Sequence, residues 1–456
     1  MSEVRRIIDD AQMNPFLKKV VFFSSGGSFL DGYVLSIIGV ALVELSSALS
    51  LSAVDSALIG AAALAGIFAG SIIGGRMTDW LGRRKMFILD VTAIGLASLG
   101  SVFIADAAQL VALRFLLGFF IGADYPIATS LIAEFVPKKH RAIGMGIVSA
   151  AWYLGATVAA FVGFALYGVG GGWRWMLGSA IIPCAVLLIG RHDIPESPRW
   201  LAQRGREADA RAVMAKVYGE GIEIDEAIGG PGKDAAKGGF APIFRQGYLG
   251  RIVYLGILIL CQVVPMYAMY TFGPRIMEAF GLGSGQLAVL GEASVSLFFL
   301  IGSIPAMFWL NSMGRRPLLI GSLALMALGL LIPGVAPGAN IAVIVVAFAG
   351  YAFFSGGPGI LQWLYPNELF PTEVRATAVG VAIAISRIGV VVSTYGLPLF
   401  LEAYGIGPTM LVGCGLLLVG LVLSIFMAPE TRGLTLSQAC SLDSRALARI
   451  GKKGDR

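Results

Sequence analysis

Residues 134–146 read EFVPKKHRAIGMG, and residues 368–380 read ELFPTEVRATAVG. Aligned, they set Glu134 on Glu368, Pro137 on Pro371 and Arg141 on Arg375, an offset of 234 residues. PESPR (195–199) meets PETRG (429–433) at the same offset, and LGRR (81–84) meets MGRR (313–316) at 232. Three matches at nearly one spacing mark a duplicated unit, so one half of the chain is a guide to the other.

The sequence between these motifs is apolar. Of 456 residues, 57% are hydrophobic and 14% charged, and the mean hydropathy is +0.80. A water-soluble globule of that composition would expose far too much apolar surface. Stretches 143–169, 318–347 and 408–428 carry no charge; each exceeds the roughly 20 residues a helix needs to cross about 30 Å of hydrocarbon. Twelve spans are expected: 20–45, 53–75, 86–105, 108–136, 143–168, 173–191, 250–279, 286–310, 317–336, 341–366, 376–401 and 408–428. Lipid cannot satisfy backbone polar groups, so the spans should be helices. The expected fold is an all-α membrane protein of twelve transmembrane helices in two pseudo-symmetric six-helix bundles. Residues 1–191 would form the first bundle, 192–249 a cytoplasmic loop with short helices, 250–428 the second bundle and 429–456 a cytoplasmic tail.

The net charge of +6 suits a nucleic-acid partner less well than it suits membrane orientation. Among lysines and arginines, only Arg114, Arg174, Arg275 and Arg387 fall outside the N-terminal segment and alternate loops. That asymmetry follows the positive-inside rule and places both termini in the cytoplasm. The first span, preceded by MSEVRRIIDDAQMNPFLKK, is too long for a cleaved signal peptide. Cys184, Cys261, Cys414 and Cys440 have neither disulfide nor metal-ligand spacing. The segment IGGPGKDAAKGG (228–239) lacks a preceding strand, and Lys233 is followed by Asp234; it reads as a linker, not a phosphate loop. SPRWLAQRGREADARAVMAKVYG (197–219) has the periodicity of short surface helices.

GRMTDWLGRRKMF (75–87), between spans two and three, resembles the G-x-x-x-D-x-x-G-R-R loop of the major facilitator superfamily. With RFLLGFFIGADYPIATSLIAEFVPKKHRAIG, PESPRWL, NELFPTEVRATAVG and PETRG, nearly the whole chain is similar to its sugar-porter branch. The resemblance implies two six-helix domains that alternate access to a central cavity. It further implies a cytoplasmic charge network of Gly75, Asp79, Gly82, Arg83, Arg84, Glu134, Arg141 and Glu196, with Arg316, Glu368, Arg375 and Glu430 as its second copy. Asn311 stands where the copy would repeat Asp79. Independently, Gly74 and Gly75 let span two approach a neighbour closely, and an acid such as Asp79 suits a helix N-terminus or a pair with Arg141.

Ionisable groups inside a bilayer usually face a bundle interior and mark substrate or proton paths. Asp31, Arg114, Asp124, Glu292 and Arg387 lie in the expected spans. Proton-coupled sugar porters commonly pair a span-one Asp with a span-four Arg, which implies a proton-coupling set of Asp31, Arg114 and Asp124. In those porters the Asp follows Gly-Tyr, where Val34 stands here; Asp31 precedes Gly32-Tyr33. That placement and Asp124 in GADYP are more similar to phosphate and organic-acid symporters.

The substrate set expected from resemblance and residue chemistry is Ser149, Gln262, Tyr267, Tyr270, Glu292, Trp363, Asn367 and Arg387. Trp363 matches the span-ten Trp of the family, and a Trp can cover a sugar face. Arg387 suits a carboxylate or phosphate group by bidentate hydrogen bonding, or a pair with Glu292. The functional expectation is a secondary transporter of a sugar, polyol or sugar acid, with a proton as coupling ion. Alternatives are an organic-acid or phosphate symporter, an uncoupled facilitator, and a non-transporting nutrient receptor. No enzyme motif, cofactor site or metal site stands out, and the protein is expected to be a monomer in the cytoplasmic membrane.

Overall fold

Among the described residues, twelve helical spans are long and apolar enough to cross a membrane, at the places the apolar runs predict. The structure is a computed structural model that describes residues 6–7, 12–219, 222–223, 248–281, 283, 285–370 and 372–432. In the first half, α1 is Pro15–Ala48, α2 Ala53–Leu81, α3 Arg83–Val102, α4 Ala107–Phe135 and α5 Lys138–Leu166. The sixth span is two helices, α6 (Gly172–Gly178) and α7 (Ile181–Arg191), followed by the short α8 (Pro198–Gln203) and α9 (Glu207–Tyr218). The second half has α10 (Leu249–Ala279), α11 (Gln286–Ser312), α12 (Arg315–Val335), α13 (Ile341–Phe354), α14 (Gly356–Leu369), α15 (Thr372–Tyr404) and α16 (Ile406–Met427). Strands β1 (Arg6–Ile7) and β2 (Ile222–Glu223) pair in parallel over two residues. The linker segment 228–239 and Cys440 lie outside the described residues.

The breaks have a sequence cause. Pro183 is the third residue of α7 and Pro358 the third of α14. A proline there cannot donate to the carbonyl four residues earlier, so span six parts at 179–180 and span ten at Ser355. Within α10, Pro265 and Pro274 flank Phe272, whose φ of −128° and ψ of 15° mark a kink.

By contacts the chain falls into two units. One is Met1–Ala41, Ala62–Val162 and Val169–Lys237; the other is Leu42–Ala61, Gly163–Gly168 and Gly238–Arg456. In the first, α2 and α4 cross with their backbones nearly touching. A Cβ at Gly66 would lie 2.1 Å from Phe115 O, at Gly70 1.9 Å from Phe119 O, and at Gly74 2.4 Å from Ala123 Cβ. This small-residue stripe is how helices pack in lipid, where no hydrophobic force drives them together. Outward-facing apolar side chains are plentiful, including Phe103 (76% exposed), Ile189 (77%) and Phe426 (73%), as hydrocarbon surroundings require.

The segment 197–219 forms the surface helices its periodicity predicts. Glu207 and Asp209 stand in the first turn of α9 and Lys216 in its last, complementing the helix dipole. Its apolar side joins a cluster in which Val217 packs with Leu17, Val20, Met86, Phe87 and Phe135. Asn14 Nδ2 donates to Val217 O at 2.7 Å and the Tyr218 hydroxyl to Phe135 O at 2.6 Å, fastening α9 beneath α1 and α4.

Candidate functional site

In the first unit the charged interior is built on one face of α1. Gly27 and Asp31 are one turn apart and share that face. At Gly27 the missing Cβ leaves room for the Asp124 carboxylate, whose Oδ2 would be 2.0 Å from it. Asp31 is fully buried. Arg114, 2% exposed, reaches the same helix, but its Nη1 donates to Val34 O at 2.9 Å. The expected Asp31–Arg114 ion pair is therefore corrected: Nη1 of the guanidinium donates to a carbonyl three residues further on.

The most deeply buried ion pairs among the described residues involve Arg191 and Asp90, neither of which the sequence singles out. Arg191, the last residue of α7, is fully buried and its guanidinium lies 3.5 Å from the centre of the Phe87 ring. Its Nη1 donates to Phe87 O at 2.8 Å and its Nε to Phe23 O at 3.3 Å. The same Nη1 lies 3.4 Å from Asp90 Oδ1, 3.5 Å from Asp90 Oδ2 and 3.4 Å from Asp124 Oδ1, and Nη2 is 3.4 Å from Asp124 Oδ1. Asp90 Oδ1 also accepts the Val91 N–H at 2.7 Å. Asp90 sits in the expected span 86–105 without having been picked out as intramembrane charge. Arg191 closes the expected span 173–191, where it counted toward the basic loop. The available signal was the pair of spans whose ends carry opposite charges.

In the second unit Arg387 is 8% exposed. Its Nη1 donates to the Tyr267 hydroxyl at 3.1 Å and its guanidinium lies 5.6 Å from that ring. Glu292, 3% exposed, instead accepts the Ser296 hydroxyl at 2.7 Å and packs against Gly273 of α10. The Arg387–Glu292 pair is thus overturned. Tyr267 and Gly273 are six residues apart on α10, roughly 9 Å of helix rise, so the two charges meet that helix at different levels. Gln262 is buried, with Nε2 3.9 Å from Met266 Sδ. Tyr270 is buried against Phe299, ring centres 5.1 Å apart. Trp363 on α14 and Ser149 on α5 are half-buried. A cavity of about 220 Å³ lies on another side of α10, bounded by Pro265, Met269, Phe400, Met410 and Gly413. Its walls are apolar, and Gln262, Tyr267, Tyr270 and Arg387 do not line it.

The motif acids act in a way the expected network did not foresee. Glu196 Oε1 accepts the backbone N–H of Arg83 at 2.9 Å, and both its oxygens accept from the Arg84 N–H, at 3.3 and 3.2 Å. Glu430 accepts the N–H groups of Arg315 at 3.1 Å and Arg316 at 3.0 Å. Each acid caps the N-terminus of α3 or α12, where unpaired N–H groups and the positive dipole end favour an anion. The cap residues Gly82 and Gly314 have φ of 97° and 96°, a conformation suited to glycine. A Cβ there would lie 2.3 Å from Glu196 Oε2 or 2.7 Å from Glu430 Oε2.

The guanidiniums go elsewhere. Arg84 Nη2 donates to His192 O at 3.2 Å and Arg316 Nη2 to Ile425 O at 2.7 Å. Arg315, not Arg316, pairs with Glu368, at 2.8 Å. The side chains of Asp79, Glu134, Arg141, Asn311, Asn367 and Arg375, like Gly75, lie outside the described residues. Among the described residues no group of three His, Cys, Asp or Glu side chains is arranged to hold a metal.

Twelve spans in two related halves, with glycine-started helices capped by motif acids, define a multi-pass transporter of the major facilitator type. The chain belongs to the family described as "Sugar (and other) transporter", which it matches over residues 19–441. YaaU of Escherichia coli (strain K12), named for metabolite transport, is 50% identical over 440 residues, 96% of this chain and 98% of that one. The inner membrane metabolite transport protein YgcS of the same organism is 32% identical, covering 95% and 96%. The partially occluded inward-open structure of the xylose transporter XylE from E. coli has the same fold, with a TM-score of 0.79 at 22% identity, covering 92% of this chain and all of that one.

Proposed function

We propose that the protein is a proton-coupled symporter that moves a sugar, polyol or sugar acid across the cytoplasmic membrane by alternating access. In this reading it works as a monomer with both termini in the cytoplasm. The observation that carries it is the buried charge of the first unit: Asp31, Arg114 and the Asp90–Arg191–Asp124 cluster, none exposed by more than 2%. Charges so far from water are costly to keep and usually serve transport. Asp31 would take up a proton and release it when Arg114 moves from Val34 O toward its carboxylate, since a nearby cation favours the charged form. Arg387 and Tyr267, with Gln262 and Trp363, would supply polar and aromatic contacts to the substrate. Relatives support the substrate class in name: at 27% identity one is the major myo-inositol transporter IolT of Bacillus subtilis.

An organic acid or phosphate is the second reading, favoured by Arg387, a buried guanidinium beside the Tyr267 hydroxyl, since its planar fork of donors suits a carboxylate or phosphate group. Binding is tested by thermal shift with D-xylose, D-glucose, myo-inositol, D-glucuronate and inorganic phosphate, since a ligand of the folded form raises its melting temperature. Transport is tested by uptake of the binding compound into proteoliposomes under an imposed pH gradient. The Asp31→Asn variant should lose accumulation yet retain exchange; accumulation equal to wild type would remove Asp31 from coupling.

A further inference from the structure

We propose that Asp90 and Asp124 form a carboxyl pair that shares one proton on Arg191, a proton-binding site distinct from Asp31. The inference deepens the symport reading and rests on it for its meaning in transport, though not for its detection. One guanidinium nitrogen, Arg191 Nη1, faces oxygens of both acids at 3.4–3.5 Å. These three side chains are 0–2% exposed, and the two carboxyls converge on that one nitrogen. Asp124 Oδ2 is buried without a hydrogen-bond partner, an oxygen that an ionised carboxylate would not leave unpaired at such depth.

No second cation among the described residues balances the pair. From α1 the neighbour is Gly27, whose Cβ would be 2.6 Å from Arg191 Nη2 and 2.0 Å from Asp124 Oδ2. Lys19 lies two turns toward the N-terminus, where its ammonium is 3.0 Å from Asp193. His192 is exposed and faces Asp193 as well. From α3 comes Phe87, from α7 the neutral thiol of Cys184, and Asp31 stands one turn along α1 from Gly27. With both acids ionised the cluster carries a net negative charge out of reach of water. One added proton, forming an O–H bond on one carboxyl and donating to the other, leaves the cluster neutral. Two carboxyls held this close ionise as a pair, with the proton belonging to both.

The proposal assigns a particular response to substitution. Replacing either acid with Asn leaves one carboxylate on one guanidinium, a matched pair with no use for the proton. The test is infrared difference spectroscopy of purified full-length protein, following the carbonyl stretch of protonated carboxyls in H2O and D2O through neutral pH. Wild type should show a deuterium-sensitive band that Asp90→Asn and Asp124→Asn each abolish and Asp31→Asn retains. A band unchanged in both, or lost in only one, would overturn the shared proton. So would failure of both Asn variants to fold, because the proposal leaves each a neutral ion pair. Uptake of D-xylose, D-glucose and myo-inositol into proteoliposomes under a pH gradient separates the two readings. Coupled uptake with no such band defeats the site alone; the band without coupled uptake defeats the symport reading and leaves the site standing.

Discussion

The two halves of the chain agree at their helix starts and disagree in their interiors. Glu196 caps α3 and Glu430 caps α12 with the same bonds to successive N–H groups, over glycines of the same φ. The repeat offset carries Asp90 to Ser322 and Arg191 to Ile425, and brings Asp124 to Pro358. Ser322 still faces α14, its Oγ 2.5 Å from where a Cβ of Gly357 would stand, so the crossing survives without its charges. Arg387 in turn has Tyr153 as its counterpart in the first half. The caps are demanded by helix ends, which both halves have. The charges are demanded by chemistry, and each half holds its own. In the proposed reading one half would handle protons and the other would grip a polar solute.

Removing the central cation of each half should break this comparison most sharply. Arg191→Met strands a buried carboxyl pair that carries one negative charge, and loss of one partner from a buried ion pair costs about 3–5 kcal/mol. Arg387→Met strands no carboxylate among the described residues, and its charged hydrogen bond to the Tyr267 hydroxyl is worth about 1.5–3 kcal/mol. Melting temperatures of the purified variants should therefore fall much further for Arg191→Met. Equal losses would mean that the first cluster is not ionically special.

The close helix crossings should behave alike in both halves. A Cβ at Gly70 or at Gly302 would sit 1.9 Å from a backbone oxygen, of Phe119 or Phe353. Alanine at either site should cost about 1–3 kcal/mol by overpacking, whereas Gly321, with open space around it, should tolerate alanine. Glu196→Ala and Glu430→Ala should each lower stability by about 0.5–2 kcal/mol, the range for a lost N-cap, and by matching amounts. A large inequality would show that the repeat preserves the geometry of the caps without their energetics.

The smallest effect is confined to the first half. Asp193, at its surface, is held below the usual carboxylate range, first by its hydrogen bond from Lys19 and then by His192. A depressed folded value contributes stability above the unfolded value, about 3.9, and the contribution is lost as pH falls through the folded value. Asp193→Asn should thus melt slightly lower than wild type at neutral pH and coincide with it in acid. At offset 234 the counterpart of Asp193 is Met427, which does not titrate, so substitution there should show no matching pH-dependent difference.

Much of the architecture was legible because hydropathy and repeat spacing act over whole spans. The twelve helices, the surface helices in 197–219 and the close approach at Gly74 followed from those patterns. The roles of single charges did not. Glu196 and Glu430 stand out as motif acids, yet only coordinates show that they bind backbone N–H groups and leave Arg84 and Arg316 to carbonyls. Arg191 closes a span, and a terminal basic residue ordinarily remains in water; burial beside two acids depends on where α3 and α4 place Asp90 and Asp124. Tyr267 as the Arg387 partner was hidden for the same reason, since one residue lies on α10 and the other on α15.

The claim that the first half handles protons is tested most directly inside vesicles. A thermal-shift screen first selects a ligand, and proteoliposomes enclosing a pH-sensitive dye then receive it without an imposed gradient. The account expects the lumen to acidify as the ligand enters through wild-type protein, to stay unchanged with Asp31→Asn, and to acidify with Arg387→Gln at ligand levels high enough to offset weaker binding. Entry of the ligand through wild-type protein at constant internal pH would contradict it.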